Sequence, residues 1–163
     1  MTARGVHFAL TSDQLAKLLK ADGDEAVREL VTEEIEEAWD RDWLVETDQA
    51  WDAIHRCLTD DTLDGSSGSP VEIVVLYGQQ LYNADDYIVS LKSVADVVEI
   101  HTALMAVTKE AMKKRYFAID ADDYGGFLND EDWEYTWDNF VALREFYNKA
   151  AEAGRAVIFT VDQ

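Results

Sequence analysis

The sequence is poor in the residues from which disulfides and metal sites are built. Its 163 residues include one cysteine (Cys57), one proline (Pro70) and three histidines. A single cysteine excludes an intramolecular disulfide, and the three histidines are far apart in sequence, with no HxH, HxxxH or CxxC spacing. We therefore predict no metal site and no cofactor, and a reduced thiol of the kind that cytoplasmic proteins carry.

Basic residues are also scarce. The 14 Lys and Arg residues face 34 Asp and Glu residues, which gives a formal net charge of −20. Such a charge repels nucleic acid and anionic membranes, so neither is a predicted partner. A protein or small molecule of unknown identity is the expected partner, and a basic protein is compatible with the charge. Acidity on its own is also typical of a well-solvated surface.

Long apolar runs are missing as well. The first twenty residues are interrupted by Arg4, His7, Asp13 and Lys17, so we expect neither a signal peptide nor a membrane-spanning segment. A chain of 163 residues is typical of one domain and buries about 70% of its unfolded surface. The sequence predicts a soluble, cytoplasmic protein with a single domain over residues 1–163.

Apolar spacing predicts an α+β fold: one compact domain in which a small mixed sheet packs with several helices. Strands are expected near 5–10, where apolar residues alternate, near 71–77, where a β-branched run is typical of a strand covered on both faces, and near 155–161. An acidic, Gly- and Ser-rich loop is expected at 60–70. The predicted helices start at Thr11 or Ser12, at Asp22–Glu25 (running to about Trp39), at Thr47 or Asp48, after Ser90 and at Thr108, and a last one ends at Gly154.

The segment Thr47–Thr59, TDQAWDAIHRCLT, is the most informative stretch of the chain. On a helix, Trp51, His55 and Leu58 share one face. Either Thr47 or Asp48 is expected to cap the first turn. An imidazole on an apolar face needs a hydrogen-bond partner when it is buried. His55 is therefore either a structural histidine or a residue of a functional site, and the sequence leaves both interpretations open.

We group Asp48, Trp51, His55 and Tyr77 as a candidate pocket. Three hypotheses about function follow. The favoured one is a noncatalytic module that binds a protein or a small ligand, because the sequence shows no complete set of catalytic residues. No residue is therefore assigned a catalytic role. The second is an enzyme in which His55 is the acid or base and Asp48 orients it. The third is an immunity-type or nucleic-acid-mimicking acidic antagonist.

One further stretch, Asp120–Glu131 (DADDYGGFLNDE), partly matches a calcium-binding loop. Asp occupies loop positions 1 and 3, Gly position 6, an aromatic residue (Phe127) position 8 and Glu position 12. Position 5, however, is Tyr124, which offers no carboxylate. Because acidic chains often produce partial matches, we do not expect calcium to bind here.

The spacing of Asp48, Trp51, His55 and the pair Leu58-Thr59 resembles that of the YfbM-like family of uncharacterised bacterial proteins. The resemblance extends over nearly the whole chain. Further matching positions are Pro70, the stretch Val75-Leu76-Tyr77-Gly78, Tyr87 leading into a helix, Phe146-Tyr147, Ala150-Ala151, Gly154 and Ala156-Val157-Ile158.

This resemblance implies a compact single-domain α+β fold in a bacterial, cytoplasmic protein, with the Asp/Trp/His helix as its signature. Gln49 departs from the family, which often has a lysine at this position. A role that needs a cation there is therefore not implied. The family has no established activity to carry over.

Overall fold

A five-stranded sheet forms the centre of the molecule. The computed structural model describes residues 3–59 and 69–162. The strands are β1 (Gly5–Ala9), β2 (Leu44–Asp48), β3 (Gln79–Gln80), β4 (Tyr87–Lys92) and β5 (Val157–Asp162). Their order across the sheet is β2-β1-β5-β4-β3, and each neighbouring pair is antiparallel. The sheet is thus antiparallel rather than mixed, and the strand predicted near 155–161 is its central strand.

Helices cover both faces of this sheet. In the described ranges they are α1 (Ser12–Lys20), α2 (Asp24–Leu30), α3 (Ala50–Leu58), α4 (Val94–Met105), α5 (Lys109–Phe117), α6 (Ala121–Tyr124) and α7 (Asp130–Ala153). A π-helical turn at Val31–Glu36 continues α2, and 3₁₀ turns occupy Arg41–Trp43 and Pro70–Ile73. Within those ranges, no helix is both long enough and apolar enough to cross a bilayer.

The apolar core is divided between the two faces of the sheet. Phe159 and Val161 of β5 pack in the same cluster as buried residues of α3, α4, α5 and α7. Ile158 points the other way and packs with buried residues of α1, α2 and the π-helical turn. This alternation along β5 is the two-residue period of a strand. The predicted α+β class and single compact domain are therefore confirmed.

The predicted strand at 71–77 is wrong. Its first residues form the Pro70–Ile73 3₁₀ turn, and 74–76 form a further turn. The apolar run was a correct signal of burial, since Val74 and Val75 are each 1% exposed, but burial alone does not specify a strand. The predicted 60–70 loop falls mainly on residues outside the described ranges.

Local capping chemistry determines several of the helix starts. Thr11 and Thr108 accept hydrogen bonds from backbone N–H groups of α1 and α5, as predicted. The helix expected after Ser90 instead starts after Ser93, because Ser90 lies within β4. The expectation that Tyr87 leads directly into a helix is also wrong, because Tyr87 is the first residue of β4.

Gly154 ends α7 in the left-handed region, with φ 66° and ψ 35°. Its N–H donates to the backbone oxygen of Ala151 at 3.1 Å. A β-branched side chain is strained in this conformation, whereas glycine is not. We expect Gly154→Val to lower the free energy of unfolding by about 1–2 kcal/mol, measured by urea denaturation. Gly154→Asn is the matched control, because asparagine tolerates this region. Equal losses in both variants would contradict the assignment.

Candidate functional site

Trp51 and His55 lie on the buried face of α3, as the helical spacing predicts. Trp51 is 6% exposed, and its indole N–H donates to the backbone oxygen of Ala3 at 2.9 Å. Its ring lies 5.8 Å from the ring of Phe159, measured between centroids. His55 is 1% exposed, and its ring meets that of Tyr77 edge-on, with centroids 4.7 Å apart. These contacts join α3 to β5 and to the segment that precedes β3.

Asp48 ends β2 rather than capping α3. Its backbone is left-handed, with φ 48°. Its carboxylate accepts a hydrogen bond from the Tyr135 phenol at 2.8 Å and lies 3.3 Å from Nε of Arg4. The N-cap position belongs to Gln49, whose side chain makes no capping hydrogen bond. The predicted cap at Thr47 or Asp48 is wrong because Asp48 bonds to α7, and the Thr47 hydroxyl donates to a β1 carbonyl.

The four residues of the candidate pocket lie in different surroundings. Asp48 borders a surface groove. Trp51 and His55 are core residues, and Tyr77 is half-buried against His55. A single pocket that contains all four stays a prediction.

The groove beside Asp48 has a volume of about 440 Å³. It lies between the start of α3 and the start of α7, and its described lining residues are Asp48, Gln49, Phe127, Asn129, Glu131, Asp132 and Tyr135. The Phe127 side chain is 86% exposed, so it presents a large apolar surface to solvent. Three of the lining residues are acidic and none is basic. This arrangement suits a ligand that combines positive charge with apolar surface.

Two tyrosines hold the Asp132 carboxylate in place. Its Oδ2 accepts hydrogen bonds from the phenols of Tyr116, at 2.5 Å, and Tyr124, at 3.1 Å. Burial and the neighbouring Asp132 carboxylate raise the pKa of both tyrosines, so their phenols stay protonated donors. Burial and the hydrogen bond to Asp48 likewise raise the pKa of Tyr135. Two of the groove's carboxylates are therefore positioned by fixed donors.

A second polar arrangement, which the sequence analysis missed, lies beneath the turn at 74–76. The backbone oxygen of Val74 accepts two hydrogen bonds. His7 of β1 donates from Nε2 at 2.9 Å, and the Tyr147 phenol of α7 donates at 2.7 Å. Both donor residues are 0% exposed. They fix this part of the chain to the sheet and to α7 at once.

The next part of the same segment is held by β4. Lys92 donates from Nζ to the backbone oxygen of Val75 at 2.5 Å and to the Ser90 hydroxyl oxygen at 2.6 Å. Ser90 in turn donates to the backbone oxygen of Tyr77 at 2.8 Å. Side chains therefore satisfy carbonyls that a strand would have paired with a neighbouring backbone.

Burial changes the protonation of this cluster. Burial first, and then the charge of Lys92, lowers the pKa of His7 to about 3. Burial also lowers the pKa of Lys92 well below its ordinary value and raises that of Tyr147. Because His7 and Lys92 are both 0% exposed, the geometry supports a structural role, that of anchoring the segment next to Tyr77.

The partial calcium motif contains the short helix α6 and ends in the first turn of α7. Asp120 accepts a hydrogen bond from the backbone N–H of Asp122 at 3.1 Å and so caps this helix. The Asp123 carboxylate lies 2.5 Å from Nη1 of Arg56, which neutralises it. Among the residues that the structure describes, no three His, Cys, Asp or Glu side chains are grouped to hold a metal ion. The expectation that calcium does not bind stays a prediction.

The comparisons with known proteins identify a family and a fold but no activity. The sequence profile of a domain of unknown function, DUF1877, matches residues 1–160. The structure is similar to that of YfbM from Escherichia coli, a protein of unknown function, with a TM-score of 0.73 at 15% sequence identity. The match covers 97% of this chain and 99% of YfbM. No curated protein matches. The resemblance to YfbM-like proteins is thus confirmed, and the chain belongs to the DUF1877 family of domains of unknown function.

Proposed function

We propose that this domain is a noncatalytic binding module whose groove beside Asp48 receives a basic side chain of a protein partner. The observation that carries the proposal is the position of Phe127, which is 86% exposed and lines the same groove as Glu131 and Asp132. The flat face of a phenyl ring attracts a guanidinium or ammonium group, and carboxylates pair with either. An arginine or lysine from a partner fits both features.

The net charge of the chain supports this direction. A charge of −20 speeds the approach of a basic partner and opposes an acidic one. Arg4, which lies outside the groove lining, offsets part of the charge of Asp48, with its Nε 3.3 Å from the carboxylate. Glu131 and Asp132 are then the main acidic contacts that remain for a ligand. Large exposed aromatic residues are frequent energetic centres of protein interfaces.

The enzyme hypothesis, with His55 as acid or base, stays a second prediction. The imidazole is 1% exposed, so a substrate reaches it only after the chain around it rearranges. The acidic-antagonist hypothesis is a special case of the proposal, since such an antagonist also binds a basic protein. The groove supports a binding function but does not identify the partner.

Selection from a random peptide display library tests the proposal. The wild-type domain is the bait, and the double variant Phe127→Ala/Glu131→Gln serves for counter-selection. We expect the enriched peptides to carry arginine or lysine and to lose at least tenfold in affinity for the Phe127→Ala variant. Their binding also weakens as salt increases, because the pairing is electrostatic.

The matched control is Phe117→Ala on α5, which removes an exposed phenylalanine outside the groove. Phe117 is 43% exposed, and its replacement is expected to leave peptide affinity unchanged. Enrichment of neutral or acidic peptides contradicts the proposal. Equal effects of Phe127→Ala and Phe117→Ala contradict it too, because the groove is then not the binding site.

A further inference from the structure

A separate apolar cavity of about 210 Å³ lies between the end of α3 and α5. Its walls include Leu58, Val71, Val107, Ala111, Met112 and Arg115. None of the described lining residues carries a carboxylate. The cavity therefore combines apolar walls with one guanidinium, whereas the groove beside Asp48 is acidic.

Arg115 has donors to spare at this cavity. Its Nη1 donates to the backbone oxygen of Cys57 at 2.7 Å. A guanidinium has five N–H donors, and across the described ranges Arg115 forms no ion pair with a carboxylate. Within the part of the chain that the structure describes, Arg115 is one of four arginines without such an ion pair, and of these four it is the one that lines this cavity. The remaining donors match an anion supplied from outside.

The helix that carries Arg115 is also the basic part of an acidic protein. Four of the 14 basic residues of the chain lie in the nine residues of α5, with one acidic residue, Glu110. The others are Lys109, Lys113 and Lys114. This local positive charge offsets the repulsion that the whole chain exerts on an anion.

We propose that this cavity binds a free, small carboxylate with an unbranched apolar tail. The carboxylate pairs with the Arg115 guanidinium, for which two parallel N–H···O bonds are the preferred geometry. The tail occupies the space between Leu58, Val107 and Met112. A volume of about 210 Å³ is below the range for drug-sized ligands and suits about ten non-hydrogen atoms. The site is distinct from the proposed peptide groove, and neither proposal depends on the other.

Methionine methyl NMR with sodium octanoate as the probe tests this site. Octanoate has ten non-hydrogen atoms. Met112 is 1% exposed in the cavity wall, whereas Met105 is 63% exposed on α4. We expect the Met112 methyl signal to shift and saturate, with a Kd of about 5 mM or tighter. The Met105 signal stays in place and reports nonspecific adsorption.

Probes of different chain length and charge test the apolar walls and the Arg115 guanidinium separately. Each methylene removed is expected to weaken binding about fourfold, so hexanoate binds about fifteenfold more weakly than octanoate. Octanol and octylammonium bind at least tenfold more weakly than octanoate, because neither supplies a carboxylate. Equal shifts of Met105 and Met112, a response without saturation, or equal affinity for octylammonium would each overturn the proposal.

Variants locate the site. Arg115→Gln is expected to weaken octanoate binding at least tenfold and to leave octanol binding unchanged. Lys113→Gln removes the same charge from a residue of α5 outside the cavity lining and is expected to change octanoate affinity less than threefold. Since Arg115→Gln also removes the bond to Cys57, Ala111→Leu is the second variant. It fills the cavity while keeping the guanidinium of Arg115 and is expected to abolish the Met112 shift. Binding that survives Ala111→Leu contradicts the proposal.

Discussion

Replacing Trp51 with alanine is expected to lower the free energy of unfolding by about 3–5 kcal/mol. The indole is 6% exposed and packs against the ring of Phe159 at the centre of the sheet. The substitution also leaves the backbone oxygen of Ala3 without its donor. Urea denaturation at pH 7.5 measures the loss, and the Tm is expected to fall by roughly 10 °C.

The ring of Trp51 packs closely against β1. A Cβ atom at Gly5 of β1 would lie 2.7 Å from Cδ1 of Trp51 and 2.6 Å from Cε1 of Phe159. The two rings therefore leave no room for a side chain at this position of β1, and glycine is the residue that fits. A ring enclosed in this way contributes through both burial and contact, which explains the large expected loss.

Trp43→Ala is the matched control for Trp51→Ala. Trp43 is half-buried, and two cations flank its ring, with Arg155 Cζ at 3.6 Å and Lys149 Nζ at 4.3 Å from the centroid. We expect this variant to lose about 1–2 kcal/mol, since less of its surface is removed from water. If Trp51→Ala unfolds with the wild type, the ring is not a core residue, and an exposed binding role for α3 gains support.

The parts of the fold that the sequence predicted are those determined by neighbours in the chain. The alternation of Val6, Phe8 and Leu10 predicts β1, and Thr11 and Thr108 mark the helices that they cap. The prediction that Gly154 ends the last helix, before the final strand, is also correct. In each of these places, residues within one or two turns of each other supply the deciding interaction.

The segment at 74–77 could not be predicted because distant residues decide its structure. Its β-branched sequence favours a strand. Yet the backbone oxygen of Val74 is bound by His7, 67 positions away, and by Tyr147, 73 positions away. β4, whose Ser90 and Lys92 hold the rest of the segment, was interpreted as the approach to a helix. Ser90 and Lys92 alternate with apolar residues, a pattern that ordinarily indicates the solvent-exposed face of a strand, so the sequence did not reveal that both are buried.

The candidate site divides in the same way. Asp48 was singled out from the α3 signature, but the partner that orients it is Tyr135, 87 positions along the chain. Phe127 entered the sequence analysis only as the aromatic of the partial calcium loop, and an aromatic in an acidic stretch indicates core packing as often as exposure. Surface position follows from how α6 and α7 meet, and no local spacing encodes that meeting.

Lowering the pH from 7.5 to 5 is expected to remove about 2 kcal/mol of stability through His7 alone. Burial and Lys92 lower the pKa of this imidazole from 6.5 to about 3. Between these two values the unfolded chain binds a proton that the folded protein does not bind, so stability falls as the pH falls. Above pH 6.5 the effect vanishes, since His7 is neutral in both states. Urea denaturation at half-unit intervals of pH measures the slope.

His7→Gln isolates this contribution. Glutamine keeps an N–H donor for the backbone oxygen of Val74 but has no proton to gain in this range. The variant loses ring contacts with Phe159, so its absolute stability drops, and the comparison is therefore between slopes. We expect the variant to lose about 2 kcal/mol less than the wild type between pH 7.5 and 5. Parallel slopes would mean that His7 takes up its proton in the folded protein, and the anchor at 74–77 would then have to accommodate a charge.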